Sequence, residues 1–112
     1  MITYSVVSPT HMDFGSLLRS ERIRGGFSQQ ALAVKCGVSG VYIYRLEKKG
    51  IEPPGKKMCY TLAGALGMEP RLLWQAAFTS RLRRWLEKEG YRRLSRETAT
   101  AVWQILEHDS AK

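Results

Sequence analysis

Side chains that donate hydrogen bonds are concentrated on one predicted helix of the chain, residues 40–49. Ile43 and Leu46, three residues apart, indicate an apolar inward face for this helix. The positions left to face outward are Tyr42, Tyr44, Arg45, Lys48 and Lys49. A guanidinium bonds two acceptors at once, and an ammonium offers a compact positive charge. These residue types at this spacing favour binding of a polyanion.

Catalytic and metal-binding patterns are not evident in the sequence. It has no nucleophile–base pair, no ligand spacing for zinc and no phosphate-binding loop, so we expect no enzyme activity, metal or cofactor. Cys36 and Cys59 occupy apolar helical positions, which favours small buried side chains kept reduced. A disulfide or a redox switch is the alternative for this pair.

Cap residues divide the central segment into two helices joined by a tight turn. Ser28 can cap a short helix whose inward face carries Leu32, Ala33 and Cys36. Gly37 tolerates the positive φ that a turn requires, and Ser39 can cap the second helix. Two short helices joined by a turn that contains glycine match the DNA-binding helix-turn-helix.

The same segment resembles the first three helices of the Cro and lambda-repressor family, also called the XRE family. A Gln-x-x-Leu-Ala block, a Gly-Val-Ser turn and a later Ala-Leu-Gly block carry the likeness, which covers residues 13–78. The matching residues are Leu18, Arg19, Arg22, Gly26, Ser28, Gln29, Leu32, Ala33, Gly37, Val38, Ser39, Ile43 and Glu47.

The resemblance implies which residues contact double-stranded DNA. The expected base contacts, made in the major groove, are Gln29, Gly40, Val41, Tyr44 and Arg45. The expected phosphate contacts are Ser28, Tyr42, Lys48, Lys49, Lys56 and Lys57. Related repressors also pair the positions of Arg22 and Glu47 as a partly buried ion pair that ties helix 1 to helix 3.

Structural alternatives exist for several of these residues. Tyr42 and Tyr44 can instead cover the edge of the core, Arg45 can be a solvated charge, and Gln29 can simply cap its helix. The start of helix 3 departs from related repressors, which often have Gln, Ser or Arg there. Gly40 has no side chain to read a base, and Val41 can contact only a thymine methyl group.

The remaining periodicity predicts an all-α fold, with a five-helix lambda-repressor-like domain and a C-terminal helical hairpin. Helix 1 should begin after Asp13 and end near residues 25–26, with an inward stripe of Phe14, Leu17, Leu18 and Ile23. Helix 4 should span residues 56–66. Helix 5 should begin at Pro70, a residue suited to a first helical turn.

Two segments flank the predicted domain of residues 13–78. Residues 1–12 are expected to form a flexible or partner-ordered arm. Residues 79–112 predict two amphipathic helices, the first beginning at Ser80, that must bury their apolar faces on the domain or on another chain. We expect this hairpin to form a homodimer, with contacts from Trp85, Val102, Trp103 and Leu106.

The charge balance agrees with a polyanionic partner. The 112 residues carry 18 Lys and Arg against 10 Asp and Glu, a formal net charge of +8. No membrane span or secretory signal is evident, so we expect a cytoplasmic protein. The sequence predicts a homodimeric, sequence-specific DNA-binding transcriptional regulator, most simply a repressor, whose effector the sequence does not identify. The alternative is a protein-interaction module on the same fold, such as an antitoxin or accessory factor.

Overall fold

A computed structural model describes residues 13–88, 101–102 and 104–105, and every regular element in this part of the chain is helical. The all-α prediction is therefore confirmed. Residues 101–102 and 104–105 are helical as well. The long helices are α1 Phe14–Arg24, α2 Gln29–Cys36, α3 Gly40–Glu47, α4 Lys56–Leu66 and α5 Pro70–Lys88.

The predicted caps delimit the first three helices. Asp13, Ser28 and Ser39 each accept a hydrogen bond from the backbone N–H three residues later, at 2.9 to 3.0 Å. These bonds satisfy N–H groups that have no partner within their helix. Gly37 ends α2 with φ 71°, and Gly67 ends α4 with φ 70°. Only glycine adopts this left-handed conformation at little cost.

One core joins all five helices. The helices α2 and α3 pack on each other, and α2 also packs on α4. The helix α5 packs on α4 and on α1. The buried apolar residues are Phe14, Leu17, Leu18, Leu32, Ala33, Ile43, Leu46, Cys59, Leu62, Ala63, Leu66, Leu73, Ala76 and Ala77. This core holds α3 by one face and leaves the other face at the surface.

The predicted inward stripe of α1 is wrong at its last member. Phe14, Leu17 and Leu18 are buried, but Ile23 is 51% exposed. At 3.6 residues per turn, Ile23 follows Phe14 by about two and a half turns and so lies on the opposite side of the helix. The buried apolar contacts of α1 therefore come from its first two turns.

The predicted separate helix beginning at Ser80 is not observed, because α5 is continuous from Pro70 to Lys88. Ser80 does not cap its own helix. Its hydroxyl accepts a hydrogen bond of 3.0 Å from the backbone N–H of Phe14, the first residue of α1. The residue that looked like a helix start in the sequence thus supports the start of a different helix.

Glycine at position 15 allows α1 to approach the end of α3 closely. A Cβ atom at Gly15 would lie 2.7 Å from the carbonyl oxygen of Leu46 and 2.9 Å from that of Glu47. Both atoms belong to the backbone and cannot move aside as a side chain can. The predicted extension of helix 3 to residue 49 is also wrong: α3 ends at Glu47, and Lys49 has φ 62°.

No helix in the described ranges is both long enough and apolar enough to cross a membrane.

Candidate nucleic-acid interface

The outward face of α3 carries most of the predicted base contacts. Val41 is 58% exposed and Tyr44 48% exposed, and Arg45 is exposed beside them. Gly40 lies on the same face at the first turn. The helical repeat brings these positions together because residues three and four apart share one side of a helix. This face offers a cation, a phenol and an apolar side chain to a ligand.

A buried polar network fixes the inward face of the same helix. Arg22 donates two hydrogen bonds to Glu47, from Nε to Oε2 at 2.6 Å and from Nη2 to Oε1 at 3.0 Å. Arg22 Nη1 also donates to the carbonyl oxygen of Phe27 at 2.8 Å, which holds the α1–α2 turn. Hydrogen bonding to Glu47 raises the pKa of Arg22. The ion pair that the family resemblance implied is present.

Gln29 joins this network rather than projecting freely from α2. Its Nε2 atom donates to Glu47 Oε1 at 3.1 Å. The Glu47 side chain is 3% exposed, so the Gln29 amide is directed toward the interior of the helix-turn-helix. Gln29 therefore links the first residue of α2 to the last residue of α3.

The predicted phosphate-binding residues fall into two groups, those with an exposed side chain and those held in polar contacts or against the core. Lys48, Lys56 and Lys57 are exposed, and the ammonium groups of Lys48 and Lys56 lie near the rings of Tyr44 and Tyr60. The N-terminus of α4 follows Gly55, which makes no side-chain cap, so its first N–H groups remain available to an anion.

Ser28, Lys49 and Tyr42 are engaged in other contacts. The Ser28 hydroxyl oxygen accepts from the N–H of Ala31, which leaves its proton free to be donated. Lys49 Nζ lies 2.9 Å from Asp13 Oδ2, at the start of α1. Tyr42 was predicted to face outward, but it is half-buried against the core, and this burial raises the pKa of its phenol.

The Lys49–Asp13 pair alters the acidity of the helix cap. Burial by itself raises the pKa of the Asp13 carboxyl, but hydrogen bonds from Lys49 and Ser16 outweigh that effect. The net result is a pKa below the usual value for aspartate. The Asp13 carboxylate is thus stabilised in the folded state.

Two arginines of α5 hold the loop that follows α3. Arg81 Nε donates to Glu52 Oε2 at 2.9 Å, and its Nη2 donates to the carbonyl oxygens of Pro53 and Pro54. Arg84 Nη1 donates to the carbonyl oxygens of Lys49, at 3.4 Å, and Ile51, at 3.2 Å. The sequence shows that both arginines lie in the predicted tail. It does not predict that they bind the loop after α3, because their acceptors are about 30 residues away and most of them are backbone carbonyl oxygens.

The cysteines are free thiols in different surroundings. Cys59 is fully buried, as predicted, and burial raises the pKa of its thiol to about 12. Cys36 is only half-buried, and burial raises the pKa of its thiol as well. Among the described residues, no group of three or more His, Cys, Asp or Glu side chains could hold a metal ion.

The predicted dimer contacts are described only in part. Trp85 is 54% exposed near the end of α5, and Val102 is half-buried. Trp103 and Leu106 lie outside the described residues, as does the predicted arm of residues 1–12.

The two short helices, their glycine turn and their rigid polar network define a helix-turn-helix protein. The family model described as helix-turn-helix matches residues 18–73, which is half of the chain. The chain belongs to this family, which is the Cro and lambda-repressor-like, or XRE, type. Members are DNA-binding transcriptional regulators rather than enzymes. No match was found among the curated proteins.

Proposed function

We propose that the chain is a sequence-specific repressor that acts as a homodimer on double-stranded DNA. The observation that carries this proposal is the contrast between the two faces of α3. Its inward face is fixed by Ile43, Leu46 and Glu47, while Val41, Tyr44 and Arg45 stand exposed. A helix held in one orientation can present the same side chains to every base edge that it meets.

Arg45 is the principal direct reader in this proposal. A guanidinium donates two hydrogen bonds to O6 and N7 of guanine in the major groove, and Arg45 has the exposure to do so. Val41 contacts a thymine methyl group, and Tyr44 offers its hydroxyl to a base or a phosphate. Gly40 lies at the start of the same face and contributes no side chain of its own.

Phosphate contacts come from the surfaces on either side of α3. Ser28 donates its free hydroxyl proton, and Lys48, Lys56 and Lys57 supply positive charge. Tyr42 is half-buried against the core and Lys49 is paired with Asp13, so we expect these two residues to contribute least. These contacts fix the protein on the duplex and carry little sequence information.

Dimerisation is proposed because one helix-turn-helix covers only half of a site. The Trp85 side chain is 54% exposed near the end of α5, and an indole is well suited to an interface because it combines a large apolar ring with a polar N–H. We propose that residues 79–112 join two copies and set their recognition helices about 34 Å apart, one turn of DNA. A dimer bound in this way blocks other proteins from the same site, and this favours repression.

Selection of bound duplexes from a random DNA pool tests the readout. We expect two related half-sites in inverted orientation with centres about one helical turn apart. If the dimer neutralises about six phosphates, log K should fall with log salt at a slope of about −5. An affinity that barely changes with salt, or a pool without enriched sequences, would contradict sequence-specific binding.

Sedimentation tests the dimer separately. The full chain should sediment as a dimer at micromolar concentration. A chain ending at Lys88 keeps Trp85 but loses Val102, Trp103 and Leu106, and it should be a folded monomer that binds a half-site weakly. The cut follows Lys88 rather than residue 78 because Ser80, Arg81 and Arg84 contact the domain. A monomeric full chain would contradict the dimer and favour a different protein partner for Trp85, as in an antitoxin or accessory factor.

A further inference from the structure

The start of α3 lies directly beneath a glutamine of α2. A Cβ atom added at Gly40 would lie 2.5 Å from Gln30 Oε1 and 3.8 Å from Gln30 Cα. The Gln30 amide thus occupies the space that a side chain at position 40 would take. The backbone at Gly40 does not require glycine, since the positive-φ glycines of the described residues are Gly26, Gly37 and Gly67.

This arrangement lies on the proposed DNA-binding face. Gln29, Gln30, Gly40, Val41 and Tyr44 line a shallow hollow at the surface. All of them except Gln30 are base contacts expected from the sequence. The Gln30 side chain is exposed, so its amide is accessible to a ligand that enters the hollow.

The two neighbouring glutamines differ in what they bond. The Gln29 amide donates to the buried Glu47 carboxylate and holds α2 against α3. Gln30 lies one residue later, over Gly40, and is turned toward the surface instead. A side chain that satisfies a buried carboxylate is costly to withdraw, whereas an exposed amide can exchange water for a base edge.

We propose that Gln30 is a specificity-determining residue that reads an adenine over Gly40. A glutamine amide donates from Nε2 to adenine N7 and accepts at Oε1 from the N6 amino group. In this arrangement α2 supplies the side chain that α3 lacks at its first position, and Gly40 provides the space. The inference rests on the proposed DNA readout by α3.

The test selects DNA with the full-length chain and four variants. Wild type should enrich an adenine at one position of each half-site. Gln30→Ala should lose that preference and about 10-fold in affinity for the selected site, the low-to-middle part of the range for a bidentate base contact. Its preference at the guanine read by Arg45 should be unchanged.

Gly40→Ala probes the same contact from the other side. The new methyl group displaces the Gln30 amide but meets no backbone atom closer than Gln30 Cα, so the melting temperature should not fall. The adenine preference should nevertheless be lost, and adding Gly40→Ala to Gln30→Ala should cost nothing further. Gly64→Ala is the control, because a Cβ there has open space around it.

A base analogue identifies the atom that is read. Replacing the selected adenine by 7-deazaadenine should weaken wild-type binding markedly and leave Gln30→Ala binding unchanged. If Gln30→Ala enriches the same adenine as wild type, the inference is overturned while the DNA readout stands. If wild type enriches no sequence, the proposed readout fails, and this inference fails with it.

Discussion

The two ends of α3 are built in opposite ways. At the carboxyl end, Glu47 is buried in an ion pair, Gly15 packs against two backbone carbonyls, and Arg84 binds the carbonyl oxygen of Lys49. At the amino end, the close neighbour of Gly40 is an exposed glutamine side chain. A recognition helix needs this difference, because one end must fix its position while the other remains open to a ligand.

The largest expected effect is a loss of stability at the carboxyl end of α3, which the buried ion pair fixes in position. Glu47→Ala leaves the Arg22 guanidinium buried without its carboxylate, which costs about 3–5 kcal/mol of unfolding free energy. Urea denaturation followed by circular dichroism measures this loss. Glu21→Ala is the control, because its partner Arg24 is largely exposed. Equal losses of unfolding free energy in the two variants would show that the buried ion pair fixes α3 no more firmly than an exposed pair does.

On the exposed face of α3, the expected loss is in DNA affinity rather than in stability. Arg45→Ala should cost about 1–3 kcal/mol on the selected site and relax the preference at one base pair per half-site. Fluorescence anisotropy on specific and random duplexes separates these effects. Arg19→Ala removes a similar exposed charge from α1 and should spare the preference. If Arg45→Ala weakens both duplexes equally, Arg45 is a phosphate contact.

Glycine substitutions compare the two ends directly. Gly15→Ala brings a methyl group within 3 Å of two carbonyl oxygens, and overpacking of this kind costs about 1–3 kcal/mol. Gly40→Ala displaces only a flexible side chain and should leave thermal stability intact. Differential scanning calorimetry on both variants measures the contrast. A stable Gly15→Ala variant would mean that α1 can move away from α3 at little cost.

The smallest expected effect concerns pH at the Lys49–Asp13 pair. The folded state lowers the pKa of Asp13 below the ordinary aspartate value of 3.8. The pair therefore stabilises the protein fully at pH values above 3.8, and this stabilisation is lost as the pH falls through the pKa of the folded state. Asp13→Asn keeps a capping oxygen and removes the charge, so it should cost at most about 1 kcal/mol at pH 7. The difference from wild type should shrink toward pH 3 in matched unfolding curves. A difference independent of pH would exclude the ion pair as its source.

The sequence predicted the first four helices well because their signals are local. Asp13, Ser28 and Ser39 act within three residues of themselves, and Gly37 acts on its own backbone. The ion pair of Arg22 with Glu47 came from the family resemblance, since nothing local joins residues 25 positions apart.

Errors arose where a residue has a distant partner. Ser80 resembled a helix start because serine often caps one, yet it bonds Phe14 across 66 positions. Gln29 and Gln30 are identical in type and adjacent, so only their surroundings in the fold separate the one that bonds Glu47 from the one over Gly40. Tyr42 was placed outward because helical periodicity does not show how far the core extends.

The hydrogen bond between Phe14 and Ser80 can form only late in the synthesis of the five helices. The ribosome makes Ser80 66 positions after Phe14, an interval of several seconds at about 10 residues per second. Until then, the first amide of α1 has only water as its partner. The amino end of α1 therefore gains this partner only after every residue of α3 has been synthesised.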